Sequence, residues 1–440
     1  MISRIYTRTA GEIITEALRD AKIIAAEQPV NAIDYSNGLN SLNNVSKFWQ
    51  TKGVHLWLME RAVLPLNVGQ KVYELGPDGD PCGYEDTFYS TTLDAAGSTS
   101  DTTLTVDSTV GMEAAPDILD ADPTDSTQDW TATSATLSLS SGLRVTNSGA
   151  AAGYATYELD ATVGQTYRVR VSNTIGTSSG VVVSVLNSTT VEDTATLSSS
   201  TTTELTITAS LDTIIFKVAN TSTTSTHYST IFDLQYVDEE TGSRIGIELD
   251  DATRQWTYVL DVDSATQVEI TTGLTSAAAV DNSVYSFVDQ IDRPLKLFNF
   301  MFGSQVGVSG VPVNHWSRQE YMQQPDKSSQ GTVVNWFYNP TLAEGKLYVW
   351  QTANNVSNLL YFDVRKPLAI YNEISDELDF PAEYLMALKW GIAADVAPSY
   401  GVPENRQIVL ETKAVEALES ALDNDNELDS IYITPNYSGG

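Results

Sequence analysis

The chain has 440 residues, 42% of them hydrophobic and 18% charged, which excludes a charge-swollen disordered tail and suits two or three compact units. Acidic residues outnumber basic ones 57 to 24, giving a formal charge of −33 and arguing against tight binding to a nucleic-acid backbone. A lone Cys82 excludes an internal disulfide, no secretion signal follows the basic start, and no run nears the roughly 18 apolar residues that span a bilayer, so a protein made in a reducing cytoplasm is expected.

The chain opens with helical texture. Thr9 and Glu12 have the spacing of a capping box, and Ile13, Ile14, Ala17, Leu18 and Ala21 mark one apolar face. After Pro29, the residues Leu39, Leu42, Val45, Phe48 and Trp49 predict a second helix ending near Gly53. From about Leu64 the period changes to two, with strands predicted at Ala62–Leu66, Lys71–Leu75 and Thr102–Val106.

Between about Asp117 and Thr241 roughly a third of the residues are Ser or Thr, and basic residues nearly vanish. Alternation in Thr136–Leu139, Tyr154–Tyr157, Tyr167–Val171, Gly180–Leu186, Leu205–Ile207 and Ile214–Val218 predicts an antiparallel sandwich rather than a disordered stalk. The strands on either side read as one unit once this block is removed, so it is expected to be inserted into a surface loop of a β-domain.

Beyond Arg293-Pro294 more strands are predicted, including Val333–Tyr338 and Lys346–Gln351. Helices then return, one with Pro381 in its first turn and a last one through Ile408, Ala414, Leu418 and Leu422. The predicted class is α+β, with a helical bundle built from both ends of the chain, a β-domain between them and an inserted antiparallel β-sandwich. The expected boundaries are 1–62 and 376–423 for the bundle, 63–116 with 242–375 for the β-domain, 117–241 for the sandwich, and 424–440 for an extended arm.

Chemistry has little foothold in the sequence. His55, His227 and His315 stand far apart with no metal-ligand spacing, and neither a phosphate-cradling loop nor a Gly-x-Ser-x-Gly elbow occurs. Asp423, Asp425 and Glu427 alternate like a calcium loop, but Leu428 replaces its glycine and Thr434 its final glutamate. Those acids oppose the dipole at a helix C-terminus, a hint that the segment detaches and meets something basic. Asp250-Asp251-Ala252-Thr253 reads as a hairpin bend rather than a sugar-binding turn. No catalytic residue, metal or cofactor is expected. The sandwich aromatics Trp130, Tyr154, Tyr157, Tyr167, Tyr228 and Tyr236 suit a core, although exposed ones can stack on sugar rings, and Trp130 and Tyr154 are the candidates for that role.

Both ends of the chain carry a resemblance. Thr9-Ala10-Gly11-Glu12-Ile13-Ile14-Thr15-Glu16-Ala17-Leu18-Arg19-Asp20, Leu39-Asn40-Ser41-Leu42-Asn43, Phe48-Trp49-Gln50 and Val54-His55-Leu56-Trp57 form its first part. Leu64-Pro65-Leu66 through Tyr73-Glu74-Leu75-Gly76-Pro77, Ser317-Arg318-Gln319-Glu320-Tyr321, Phe380-Pro381-Ala382-Glu383-Tyr384 and Tyr400-Gly401 complete it. Over about 300 residues flanking the insertion, this order and spacing resembles the head-to-tail adaptor proteins of short-tailed bacteriophages, also called head-completion, packaged-DNA stabilisation or tail tubular proteins.

The resemblance implies a structural virion connector, a ring of twelve copies beneath the portal protein. Such a ring extends the DNA channel, retains packaged DNA and docks the tail nozzle and the fibres or spikes. Double-stranded DNA would pass without specific binding, and twelve copies would place roughly −400 formal charges around the channel. Ile431, Tyr432, Ile433 and Pro435 form an apolar patch on the arm and are the candidate portal contact. Two other roles stay open: a peptidoglycan-hydrolysing adaptor, for which no Glu stands in an identifiable catalytic context, and a host-attachment protein that binds glycans through the sandwich.

Overall fold

Thr9 accepts a hydrogen bond from the Glu12 N–H through its Oγ1 (3.3 Å) and so opens α1, Ala10–Asp20. The Glu12 carboxylate pairs with Arg8 (3.3 Å). In the computed structural model, residues 7–25, 27–52, 56–119, 123–238, 240–303 and 310–424 are described. The other helices are α2 (Ala32–Lys52), α3 (Arg318–Gln323), α4 (Ala382–Val396) and α5 (Glu404–Asn424). The fold is mixed α and β, with strands in the majority.

Helices from the two ends of the chain share one apolar core, in which Ile13, Ile14 and Leu18 of α1 and Leu42 of α2 meet Leu388 and Ile392 of α4 and Leu410 of α5. Gly38 makes the approach possible, because a Cβ there would lie 2.3 Å from Cγ2 of Ile14. Polar clamps fix the arrangement: Asn43 Nδ2 donates to the Tyr371 carbonyl (2.9 Å), Tyr371 N–H donates to Asn43 Oδ1 (3.0 Å), and Tyr400 Oη donates to Asp34 (2.6 Å). Trp49, Trp57, Phe380 and Tyr384 cluster here in edge-to-face and tilted contacts, the Trp57 and Tyr384 ring centres 4.6 Å apart. Pro381 stands at the N-cap of α4, just outside its expected first turn.

Outside the 117–241 block, three larger sheets and a two-stranded pair (Gln330–Gly331 with Thr352–Ala353) lie between the helical segments among the described residues. Met59–Pro65 pairs antiparallel with Leu359–Arg365 at the centre of a five-stranded sheet. Val72–Leu75, Gly345–Trp350, Asn335–Pro340 and Asn314–His315 form a second sheet, its middle hairpin close to the predicted pair. Where only strands are predicted, Ser317 and Glu320 build a complete capping box on the short α3. The third sheet has six strands, in the order Phe88–Thr92, Ser283–Phe287, Arg244–Glu248, Arg254–Ser264, Gln267–Ile270 and Thr103–Thr105. Strands from before and after residues 117–241 therefore share it.

The ten strands between Thr131 and Asp238 form an antiparallel β-sandwich. One sheet runs Thr201–Thr208, Thr166–Thr174, Tyr228–Asp238, Leu143–Asn147, Ala135–Leu139; the other runs Thr190–Leu197, Val181–Asn187, Thr213–Asn220, Tyr154–Asp160, Thr131–Thr133. Val169, Val171, Val183, Val185, Phe216, Val218 and Leu234 fill the space between. The two chain crossings run side by side. Ser243 N–H donates to the Glu113 carbonyl (2.9 Å), Glu113 N–H to Ser243 Oγ (2.7 Å), and Ile118 N–H to the Tyr236 carbonyl (2.8 Å).

Candidate functional site

Alternation along the Thr166–Thr174 strand sends Tyr167, Val169 and Val171 into the sandwich core and leaves Arg168, Arg170 and Ser172 on the outer face. The neighbouring strands add Thr202 and Glu204 on one side and Asp233 and Gln235 on the other. Ser172 and Thr202 are joined hydroxyl to hydroxyl (2.8 Å). Together with Thr203 and Glu269 these groups line an open polar cleft of about 570 Å³.

Arg170 organises the cleft. It pairs with Glu204 on its own sheet (2.7 Å) and reaches across to Glu269 (2.8 Å) and Asp261 (3.4 Å) on the six-stranded sheet. Partial burial works against its charge, but the Glu204 and Glu269 carboxylates outweigh that cost and raise its pKa. Arg168 pairs with Glu204 (3.2 Å) and donates to the Thr271 carbonyl (3.0 Å). Behind these arginines a more enclosed pocket of about 160 Å³ opens against Ala115, Val237 and Leu260. One guanidinium thus holds three carboxylates and aligns the wall of the cleft.

A bulge supplies an aromatic surface beside it. Ser172 pairs with Asp233 but Asn173 pairs with Ile231, so Phe232 is the extra residue, 48% exposed. Read strictly at period two, Phe232 shares a face with the buried Leu234 and Tyr236. The bulge turns Ile231 inward in its place. On the same strand Tyr228 lies under the Arg144 guanidinium, 4.0 Å from ring centre to Cζ. The signal available in the sequence was the adjacent apolar pair Ile231-Phe232, which breaks the alternation.

The residues chosen from sequence fall elsewhere. Trp130 is 8% exposed and packs on Tyr157 (5.2 Å) and Phe216 (6.2 Å) in the core, so its ring faces are not presented to a sugar. This corrects the expectation for Trp130: a large ring at a sheet margin is drawn under the strands because burial there removes most of its surface from water. Tyr154 is half-buried on the opposite sheet, with Lys217 Nζ 4.1 Å from its ring centre, and the structure does not bring it to the cleft. Tyr167 and Tyr236 stack in the core (4.8 Å). Ile431, Tyr432, Ile433 and Pro435 lie outside the described residues, as do His55, Asp425 and Glu427.

His227 meets Ser222 (2.8 Å) and His315 lies against Trp336, and among the described residues no group of three His, Cys, Asp or Glu side chains is placed to hold a metal. Asp250–Thr253 forms the hairpin bend between two strands, its Asp251 held low in pKa by hydrogen bonds from Thr253. No helix among the described residues is long and apolar enough to cross a membrane.

No protein-family model matches the sequence, and no curated protein matches it. Among solved structures, the chain is similar to the module TmCBM61 in complex with β-1,4-galactotriose, at 12% identity over 28% of this chain and 99% of that one, TM-score 0.23. It is also similar to the carbohydrate-binding module CBM6cm-2 of Cellvibrio mixtus lichenase 5A in complex with cellotriose (13% identity, 28% and 98% covered, TM-score 0.21). A third likeness is to the enzymatically active domain of tailspike protein 4 of bacteriophage CBA120 (11% identity, 28% and 21% covered, TM-score 0.22). Scores at this level do not establish a common fold.

Proposed function

We propose that the chain is a non-catalytic binding protein whose inserted sandwich engages glycan along the cleft between Arg170, Asp233 and Glu269. Sugars present hydroxyls that both donate and accept hydrogen bonds, and apolar C–H faces that pack on rings. A site for them combines fixed polar groups with an exposed aromatic. The observation that carries this reading is Phe232, exposed by its bulge immediately before Asp233, which lines the cleft. A glycan array probed with the full chain tests it. Binding to one family of glycans, lost in Phe232→Ala and kept in Tyr154→Ala, is the expected result. An empty array, or binding unchanged in Phe232→Ala, sinks it.

A second reading, the virion connector, is favoured by a different observation. The helices from both chain ends form a scaffold that leaves Met386, Ile408 and Val409 exposed, apolar faces of the kind that repeated subunit contacts cover. In this reading the helical bundle closes a ring, in twelve copies, between portal and tail nozzle, DNA passes through the acidic bore, and the sandwich projects towards fibres or spikes. The two readings are compatible, since a glycan-binding sandwich would sit on the outside of such a ring. Electron microscopy of the protein mixed with portal rings decides the second: stacked rings are expected, and dispersed monomers overturn it.

A further inference from the structure

Helices α2, α4 and α5 leave an open groove of about 430 Å³ between them, lined by Val45, Phe48, Trp49, Ala394, Val415 and Leu418. Gly391 of α4 lets α2 pack close beneath it, because a Cβ there would lie 2.9 Å from Cγ1 of Val45. Phe48 is 56% and Val415 54% exposed, so the walls are apolar surface turned to solvent. Asp395 and Glu411 also line the groove, which gives it an acidic margin.

Helix α5 ends close by. The described residues stop with α5 at Asn424, about 14 Å along the helix from Val415, and sixteen residues follow. Those residues divide sharply in character. Asp425, Glu427 and Asp429 make the first part acidic, whereas 431–440, Ile-Tyr-Ile-Thr-Pro-Asn-Tyr-Ser-Gly-Gly, carries no charge. We propose that, in the free chain before any partner is bound, Ile431, Tyr432 and Ile433 fill the α2–α4–α5 groove of their own chain.

Reach and charge both support this occupant. The six residues 425–430 span up to about 20 Å when extended, enough to reverse direction after α5 and return Ile431 to the level of Val415. Acidic residues in that link are repelled by Asp395 and Glu411 and stay in solvent, so the uncharged stretch is the part that enters. A tether this short holds the segment near the groove at an effective concentration of the order of mM, far above that of a neighbouring copy in dilute solution. Pro435 then stops the inserted segment from extending by backbone pairing.

Paired cysteines in the full chain test the placement, since native Cys82 is fully buried and stays out of the reaction. Val415→Cys with Ile431→Cys should oxidise mainly to an intrachain disulfide. It should form at least tenfold faster than in a control pairing Ile431→Cys with Glu416→Cys, which is exposed on the far side of α5 from the groove. Equal rates in the two pairs, or chiefly interchain dimers, overturn the proposal, the latter by placing the arm on a second copy. A separate readout needs no cysteines. A chain ending at Asn424 should bind an apolar fluorescent dye several-fold more than the full chain, and equal binding by the two would count against the arm as occupant.

Discussion

The Val259 carbonyl oxygen sits 1.9 Å from where a Cβ on Gly242 would stand. Gly242 belongs to the return crossing from the sandwich, next to Ser243, whose carbonyl accepts from the Val259 N–H (2.8 Å). The crossing is therefore pressed against the Arg254–Ser264 strand so closely that only a glycine fits.

Gly242→Ala should push the crossing off that strand and cost about 1–3 kcal/mol, the usual penalty for overpacking a closed site. Thermal unfolding of the variant is expected to shift down by several degrees, with circular dichroism at low temperature unchanged. An unshifted midpoint would mean the backbone there yields freely.

Arg170 ties the two β units together, so removing it should free them. Arg170→Ala leaves Glu204, Asp261 and Glu269 facing one another without their shared cation, which is worse than losing the pairs alone. Limited proteolysis should then cut the crossings near 113–118 and 238–243 several-fold faster, and added salt should partly restore protection by screening the carboxylates. Unchanged cleavage would show that the backbone hydrogen bonds of the crossings suffice without it.

Two aromatic positions should separate stability from binding. Trp130→Ala removes a buried ring packed on Tyr157 and Phe216 and should cost about 3–5 kcal/mol. Phe232→Ala removes a ring that is largely in solvent and should stay within about 0.5 kcal/mol. Urea unfolding of the two variants checks both values. A large loss at Phe232 would make it a packing residue.

Acid should weaken the first helix in a defined way. Arg8 reaches Glu16 (2.8 Å), and this hydrogen bond lowers the Glu16 pKa despite partial burial. A carboxyl depressed on folding stabilises the fold above its unfolded pKa, about 4.3, and that contribution is lost as pH falls through the depressed value. Arg8→Ala should therefore cost up to about 1 kcal/mol at neutral pH, since Glu16 is well exposed, and progressively less below about pH 4. Equal losses at neutral and acid pH would mean that Arg8 acts by packing.

Periodicity made most of the elements legible. Ile13, Ile14, Ala17 and Leu18 face the core of α1, and alternate valines mark the sandwich strands, because one-sided burial leaves a period in the sequence. Thr190–Leu197 escaped notice as an edge strand whose residues are mostly exposed and polar, so no period is imposed on it. The short α3 is announced only by its capping box, Ser317 with Glu320, a local signal too short to interrupt the strand texture around it. The cleft was not legible at all. Arg170, Glu204, Asp261 and Glu269 come from four strands spread over a hundred residues, and the outward turn of Phe232 depends on a bulge that only the pairing with Asn173 creates.

Because Glu113 and Ser243 already touch through two hydrogen bonds, the whole sandwich is a cassette hung from a single doorway. Excising it and closing the gap with a short glycine bridge should leave the six-stranded sheet intact, at the cost only of the cation that Asp261 and Glu269 share.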